Sequence, residues 1–433
     1  MKAERFPAHA LEDEATTSAL VWRPHPATPS EAWWSKIQHG NPGRKQLWAA
    51  MAFDFDTVIE RRGTGSLKWQ RYEGRDVFPL WVADMDFAAP PVVIEAIRAR
   101  LDHGVLGYTK PHPGLNETVL GYMERAHSIA ADAAWIEWLP GLVPAKSMAC
   151  RAVGNPGDSV ITLTPVYPPF LAVHADAQKR LITVPLAHDE ETGHWAIDFD
   201  ALERAVRPDT RVFLFCNPHN PVGRVYRRVE VERVADFCVR HDLLLVSDEI
   251  HCDLILEADW TPHFSAARLE GPIRDRLIVL MAASKTFNIP GLALAWALVP
   301  NPTLRRQFRA AGGRLIPELN PLSYHATHAA LRDGEPWRQE LLACLRDHRD
   351  HLARFLKTNL PRMKMALPLE ATYLAWLDCR GLGVENPHAF FEQAGVGLSD
   401  GRDFAGAGWL RLNFGCPRST LDAALHRMAE ACR

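Results

Sequence analysis

Three side chains of different chemistry stand just beyond three short apolar runs of this chain. Asn217 follows VFLFC (212–216) in NPHNPVG, Asp248 follows LLLVS (243–247) in SDEIH, and Lys285 stands four residues after LIVLM (277–281) in ASKTFN. An amide, a carboxylate and an amine on one rim can orient a polar ring, hold charge on it and bond covalently to a carbonyl. Singly, each has an ordinary reading: an Asn-Pro turn, a helix cap and a solvated lysine. Their shared position makes them a set, because ligands of an open parallel sheet bind beyond the carboxyl ends of its strands.

The runs that carry them belong to a longer alternation. SVITLT (159–164), RLITVP (180–185) and LALAWALV (292–299) join the three above as continuous apolar runs, the pattern of strands covered on both faces. Segments between them, such as VEVERVADFCVRHD (229–242), repeat apolar residues every three or four positions and read as amphipathic helices. The alternation predicts an α/β fold, a mostly parallel sheet flanked by helices, with the large domain over 96–305. PWRQELLACLRDHRDHLARFLK (336–357) reads as a long helix, followed by a short mixed region and a last helix from about Leu421. A smaller α+β domain is therefore expected over 306–433, with 51–95 as its N-terminal part and an active-site loop. Residues 1–50 carry five prolines and four tryptophans without a sustained period and read as an extension, docked or poorly ordered. Met51 opens the first segment with the character of a folded domain.

Composition narrows the function classes. Across 433 residues, 49 basic side chains face 52 acidic ones, so no polyanion-binding surface is implied and nucleic acid is not an expected partner. No apolar run approaches the roughly 18 to 20 residues that span a bilayer, so no membrane partner is expected either. The first residues, broken by Pro7, Glu12, Asp13 and Glu14, lack a secretory apolar stretch, and a cytoplasmic setting is expected. The eight cysteines are scattered singly without ligand spacing, and the nineteen histidines contain no HxxxH, so neither disulfides nor a metal is expected.

The rim chemistry fits pyridoxal 5'-phosphate, which needs a lysine for its aldehyde, a carboxylate for its ring nitrogen, a donor to its phenolic oxygen, an aromatic face and a phosphate cradle. Lys285, Asp248 and Asn217 supply the first three, with His251 as an assistant to Asn217. Tyr167, in TPVYPPF, is placed to stack on the ring. PGLVPAKS (140–147) reads as a glycine turn into a helix with Pro144 at its first position, leaving the amides of Leu142 and Val143 to face an anion. Ser284 adds a hydroxyl beside the lysine.

With these residues in view, the chain resembles the pyridoxal-phosphate enzymes of the class I/II aminotransferase family, and within it the cystathionine β-lyase, or cysteine-S-conjugate β-lyase, branch. The resemblance rests on PLWVADMDF (79–87), GVLGYTKP (104–111), NPHNPVG (217–223), SDEIHCDL (247–254), SKTFNIPGL (284–292), ATYLAWLD (371–378) and RLNFGCPRS (411–419), in the family's order. It implies pyridoxal-phosphate fold type I, like aspartate aminotransferase, and elimination of a thiol from a cysteine S-conjugate, with pyruvate and ammonia as the other products. It implies Lys285 and Asp248 as catalytic residues, Arg411 as the clamp on the substrate carboxylate, and Asp84 and Met85 in the substrate loop. It also implies a homodimer with shared active sites, Tyr108 reaching the neighbouring subunit's cofactor.

Two positions depart from the pattern. Aspartate-type aminotransferases commonly place an arginine eight residues after the lysine, where this chain has Ala293, which favours the lyase over the aminotransferase alternative. Lys146 occupies a cradle-helix position where a small or apolar residue is expected; it reads either as extra charge for the phosphate or as a solvent-facing lysine. Trp69, Trp81 and Trp376 read as packing residues. A regulator using this fold to sense an effector is a further alternative, disfavoured because residues 1–50 hold six basic and five acidic side chains and no helix-turn-helix pattern.

Overall fold

The structure is a computed structural model that describes residues 53–257, 262–366 and 368–433. The extension expected over residues 1–50 lies outside them. Residues Ala52–Arg433 form one compact unit. Its centre is a seven-stranded sheet of β1 (Ile136–Leu139), β2 (Ser159–Thr164), β3 (Arg180–Pro185), β4 (Thr210–Cys216), β5 (Leu244–Asp248), β6 (Leu277–Met281) and β7 (Ala295–Leu298). The spatial order is β1-β7-β6-β5-β4-β2-β3. β3, β2, β4, β5 and β6 pair in parallel, while β7 runs antiparallel to both β6 and β1.

Alternate residues of these strands enter two separate hydrophobic clusters. Phe213 and Phe215 of β4, Leu245 of β5 and Val279 of β6 join one; Val212, Leu214, Val246 and Leu280 join the other. The sheet is thus covered on both faces, which is why its strands read as unbroken apolar runs rather than as alternating ones. Register brings the rim level: Cys216 lies opposite Asp248, which lies opposite Leu280, and the Asn217 amide donates to the Asp248 carbonyl at 3.0 Å.

Several boundaries differ from the sequence reading, three of them in ways that bear on the chain's course. The run 292–299 is a strand only over Ala295–Leu298, because Pro290–Leu292 make a 3₁₀ turn and Ala293 takes φ 49°, reversing the chain into an antiparallel strand. The cradle helix spans Leu142–Ala152, so Pro144 is its third residue rather than its first, where a missing N–H still costs no helical bond. The chain enters it through Gly141 at φ 154°, open to glycine. The last helix begins at Arg418, just after Pro417.

A second, antiparallel sheet orders β8 (Lys364–Met365), β9 (Leu374–Asp378), β11 (Trp409–Asn413) and β10 (Ser399–Asp400) as β8-β9-β11-β10. Arg411 stands in β11 between Trp376 and Ser399. The short pair Phe78–Pro79 with Val396–Gly397 ties the start of the PLWVADMDF segment to this part of the chain. Among the described residues no helix is long and apolar enough to cross a membrane.

Candidate active site

Lys285 sits in the turn beyond β6. Its Nζ donates to the Ala83 carbonyl at 2.6 Å, and Tyr373 Oη donates to the same oxygen at 3.0 Å. Burial lowers the amine to about 8; Asp84 and Asp248 oppose that shift, while Arg411 and Lys146 add to it. An amine in this range is substantially neutral in weak base, as a nucleophile or proton acceptor must be. Asn288, three residues on, fixes the neighbouring loop by accepting from the Met85 amide at 2.9 Å and donating to the carbonyls of Met85 and Phe87 at 2.9 and 2.8 Å.

Asp248 ends β5 and is buried. Its Oδ1 accepts from the Ile250 amide at 3.3 Å, and its Oδ2 lies 2.6 Å from Lys146 Nζ. This corrects the solvent-facing reading of Lys146. The lysine is the fifth residue of the cradle helix, and its side chain runs inward to the strand end instead of outward.

Asn217 is buried, its Oδ1 accepting from the Tyr226 amide at 3.1 Å and its Nδ2 donating to the Phe264 carbonyl at 3.3 Å. Two backbone contacts fix the amide plane and leave one N–H for a ligand. His251 is buried with its ring edge-on to Tyr373, 6.2 Å between centroids, and its Nδ1 has no hydrogen-bond partner among the described residues. Burial first, then the cations Lys285 and Arg411, push it down to about 3, so it is neutral. Tyr167 is half-buried at the head of the helix Pro168–Asp176, its amide donating to the Asn220 carbonyl at 3.0 Å. Leu142 and Val143 are the first two residues of the cradle helix, so their amides have no intrahelical acceptor. Ser284 is half-buried beside Lys285.

Arg411 is buried and has no carboxylate within salt-bridge distance among the described residues. Nη1 donates to Asn220 Oδ1 at 3.0 Å, Nη2 to the Trp81 carbonyl at 2.9 Å and to Ser399 Oγ at 3.3 Å, and Nε has no partner. The guanidinium lies 4.6 Å from the Phe404 ring centroid. Burial lowers its pKa to about 10, against the influence of Tyr167 and Tyr373. A buried guanidinium braced by neutral groups has the charge and desolvation to hold an anion, and its fork suits a carboxylate.

Asp84 is half-buried and ion-paired to Arg61 at 2.8 Å, close enough to Lys285 to influence its proton. Met85 is 2% exposed and packs in the main hydrophobic cluster, so its backbone, held by Asn288, is what faces the lysine loop. Tyr108 is 96% exposed and meets none of these residues within the chain. His127, Cys252 and Asp253 bring one ligand atom each within 4.8 Å of one another, a grouping no sequence spacing announced. Asp253 is already engaged there, close to Tyr122 Oη and His127 Nε2 at 2.7 Å each and to Thr286 Oγ1 at 3.1 Å.

The donor set fits the cofactor expected from the rim. The set holds an amine whose proton feels Asp248 and Arg411, a buried histidine that feels Lys285 and Arg411, an amide with a spare N–H, and ring and guanidinium nitrogens without a partner among the described residues, and the helix start offers amides with no intrahelical acceptor. Sequence reasoning missed Asn220, Ser399, Tyr373 and the Lys146–Asp248 pair. Asn220 was visible as the second asparagine of NPHNPVG; the others carry no local signal.

Residues 75–428 match the family model for aminotransferase class I and II. Cystathionine beta-lyase PatB of Bacillus subtilis (strain 168) is 37% identical over 389 residues, which cover 87% of this chain and 99% of the relative. The crystal structure of OvoB superimposes with a TM-score of 0.84 at 42% identity, over 88% of this chain and 99% of that one. Cystalysin from Treponema denticola, whose crystal structure contains a pyridoxal 5'-phosphate cofactor, superimposes with a TM-score of 0.83 at 34% identity, over 88% and 99% of the two chains. The match spans both sheets and every strand end described above, and the chain belongs to the aminotransferase class I and II family.

Proposed function

We propose that this chain is a pyridoxal-phosphate-dependent carbon–sulfur β-lyase, converting L-cystathionine or another L-cysteine S-conjugate, with water, to a thiol, pyruvate and ammonia. The observation that carries the reading is a lysine amine lowered to about 8 close to both a strand-end carboxylate and a buried guanidinium that pairs with no carboxylate among the described residues. The lyase names of PatB and other relatives, and Ala293 where aspartate-type aminotransferases carry arginine, support elimination over amino transfer.

Lys285 would hold the cofactor covalently, with Asp248 at its ring nitrogen, Asn217 and His251 at its phenolic edge, Tyr167 on its face, and Leu142, Val143 and Ser284 at its phosphate. Bound there, the cofactor supplies a sink for the electron pair left when a proton leaves Cα. Arg411 binds the substrate carboxylate by its fork, and Asn220 and Ser399 keep that fork from rotating. Lys285 Nζ, once its amine is free, takes the Cα proton as general base. The Cα–H pair becomes the Cα–Cβ π bond and the Cβ–S pair leaves on sulfur, so electrons balance without an added oxidant. The released aminoacrylate takes up water and gives pyruvate and ammonia.

The functional unit in this proposal is a cytoplasmic homodimer. Val105, Leu106 and Tyr108 form an exposed apolar stretch that a second copy would cover, placing Tyr108 at the neighbouring cofactor. All eight cysteines are free thiols, which suits a reducing compartment. The test is pyruvate and thiol release from a panel of S-substituted cysteines, with keto-acid-dependent amino transfer measured beside it. Continuous pyruvate without a keto acid is expected. Rapid multiple-turnover transamination with negligible pyruvate from every conjugate would overturn the lyase reading.

A further inference from the structure

A buried lysine is costly unless paired, and this chain places one where the cofactor site has no evident need of it. Lys146 is 1% exposed, with Nζ 2.6 Å from Asp248 Oδ2. The same nitrogen lies 4.6 Å from the Phe170 ring centroid and 5.9 Å from that of Tyr167, so aromatic faces as well as the carboxylate hold its charge. Asp248 is thereby divided. Oδ2 is committed to an ammonium, while Oδ1 accepts a single long bond from the Ile250 amide and keeps capacity for another donor.

We propose that Lys146 is a charge-setting positioning residue: it acts as a resident counter-cation on Asp248 Oδ2, leaves Oδ1 for the cofactor's ring nitrogen, and lets the site accept that nitrogen with or without its proton. This rests on the cofactor reading above. A lone buried carboxylate facing a pyridine nitrogen demands a proton there, since a lone pair opposite a carboxylate is repelled and the carboxylate has no other partner. An ammonium in contact with the other oxygen converts that single negative charge into an ion pair, whose field falls off faster with distance. The ring nitrogen is then no longer obliged to complete the charge balance of the site.

The experiment compares two ligands that differ at one ring atom. Wild-type and Lys146→Met proteins are titrated with pyridoxal phosphate and with its 1-deaza analogue, in which C–H replaces the ring nitrogen. Both carry the same aldehyde and phosphate, so contributions from Lys285 and the phosphate cradle cancel in the ratio of dissociation constants. The ratio, analogue over cofactor, should rise at least tenfold in Lys146→Met and stay within threefold of wild type in Lys146→Arg. In an Asp248→Asn background, Lys146→Met should leave the ratio unmoved. An unchanged ratio in Lys146→Met, or an equal rise in the Asp248→Asn background, would overturn the proposal. Should the Lys146→Met apoprotein not fold, equilibrium exchange of its holoenzyme against the analogue yields the same ratio. Capture of pyridoxal phosphate by wild type and its loss in Lys285→Ala test the cofactor reading separately.

Discussion

Two buried lysine–aspartate pairs stand among the described residues, and they differ in how completely the carboxylate is satisfied. Lys68 Nζ lies 2.7 Å from Asp86 Oδ2, while Asp86 Oδ1 also takes Arg61 Nη1 at 2.6 Å and Trp69 Nε1 at 3.0 Å. Burial alone would raise the Asp86 pKa, but Lys68, Trp69 and Arg61 together carry it below the usual carboxylate range. Lys146 and Asp248 meet at 2.6 Å with only the long Ile250 bond added at the other oxygen. The first carboxylate is saturated and works as a strut, holding the segment whose Ala83 carbonyl receives Lys285. The second retains an open oxygen and is available to a ligand. A buried ion pair is therefore informative through what its carboxylate still lacks.

The largest effect expected falls on Lys285, which bonds the Ala83 carbonyl and feels both Asp248 and Lys146. Lys285→Ala should lower turnover by about 10⁴-fold or more, the upper range for a positioned acid–base group. It should also abolish covalent capture of pyridoxal phosphate while leaving the melting temperature close to that of wild type. A melting point far below wild type would mean that Lys285 belongs with the struts.

The pairs themselves come next. Asp86→Asn takes the nearest anion from the buried Lys68, while Arg61 keeps Asp84, and should destabilise the fold by about 3–5 kcal/mol in denaturant titration. Asp248→Asn strands one ammonium that keeps an amide oxygen as acceptor, for about 1–3 kcal/mol, while its loss of turnover should be the larger of the two. Equal destabilisation by both variants would erase the distinction between strut and open acceptor. The sign with pH follows for Asp86: its folded pKa is depressed, so its contribution is present above the unfolded pKa near 4 and is lost as pH falls through the folded value.

A smaller effect concerns the Lys285 amine. Only the neutral amine attacks an aldehyde, so capture of pyridoxal phosphate by the apoprotein should accelerate as pH rises through about 8 and level off above it. Below that value, stopped-flow absorbance should show roughly tenfold slower capture per pH unit. A rate still climbing steeply at pH 10 would place the lysine in an ordinary solvated setting.

The smallest effect is on acid stability. His251 at about 3 and His219 at about 4 are both lowered first by burial, and both titrate near 6.5 when unfolded. Between these values the unfolded chain binds more protons, so stability should fall as pH drops below about 6.5. His251→Asn should flatten that slope by up to about 1.4 kcal/mol per pH unit. An unchanged slope would assign the acid sensitivity to other groups.

How far the sequence could be read is best seen residue by residue. β2, β3 and β6 occupy the runs 159–164, 180–185 and 277–281 with no shift, because strands buried on both faces must be apolar throughout. Lys285, Asp248 and Asn217 were legible because each stands at or just beyond the end of such a strand. Arg411 was legible only through resemblance, since nothing local separates it from a strand arginine in an ordinary ion pair. The sequence reads Lys146 as either a phosphate charge or a solvent-facing lysine, neither of which names Asp248, because a lysine in the first turns of a helix has no sequence mark for the face it occupies. Tyr373, just before β9 and far from Lys285 in the chain, shares the Ala83 carbonyl with the lysine, and Ser399 meets Arg411 only through the pairing of β10 with β11.

The sequence by itself determined the strand alternation, the chemical types at the strand ends and the family. These depend on burial pattern and on residues near one another in the chain. Tertiary structure alone decided which charges meet. It set Lys146 on Asp248, saturated Asp86 with Arg61, Lys68 and Trp69, and braced Arg411 with Asn220, Ser399 and a carbonyl rather than with a carboxylate of the described residues. Electrostatic interaction depends on distance and burial in space, and neither is written in the spacing of residues along the chain.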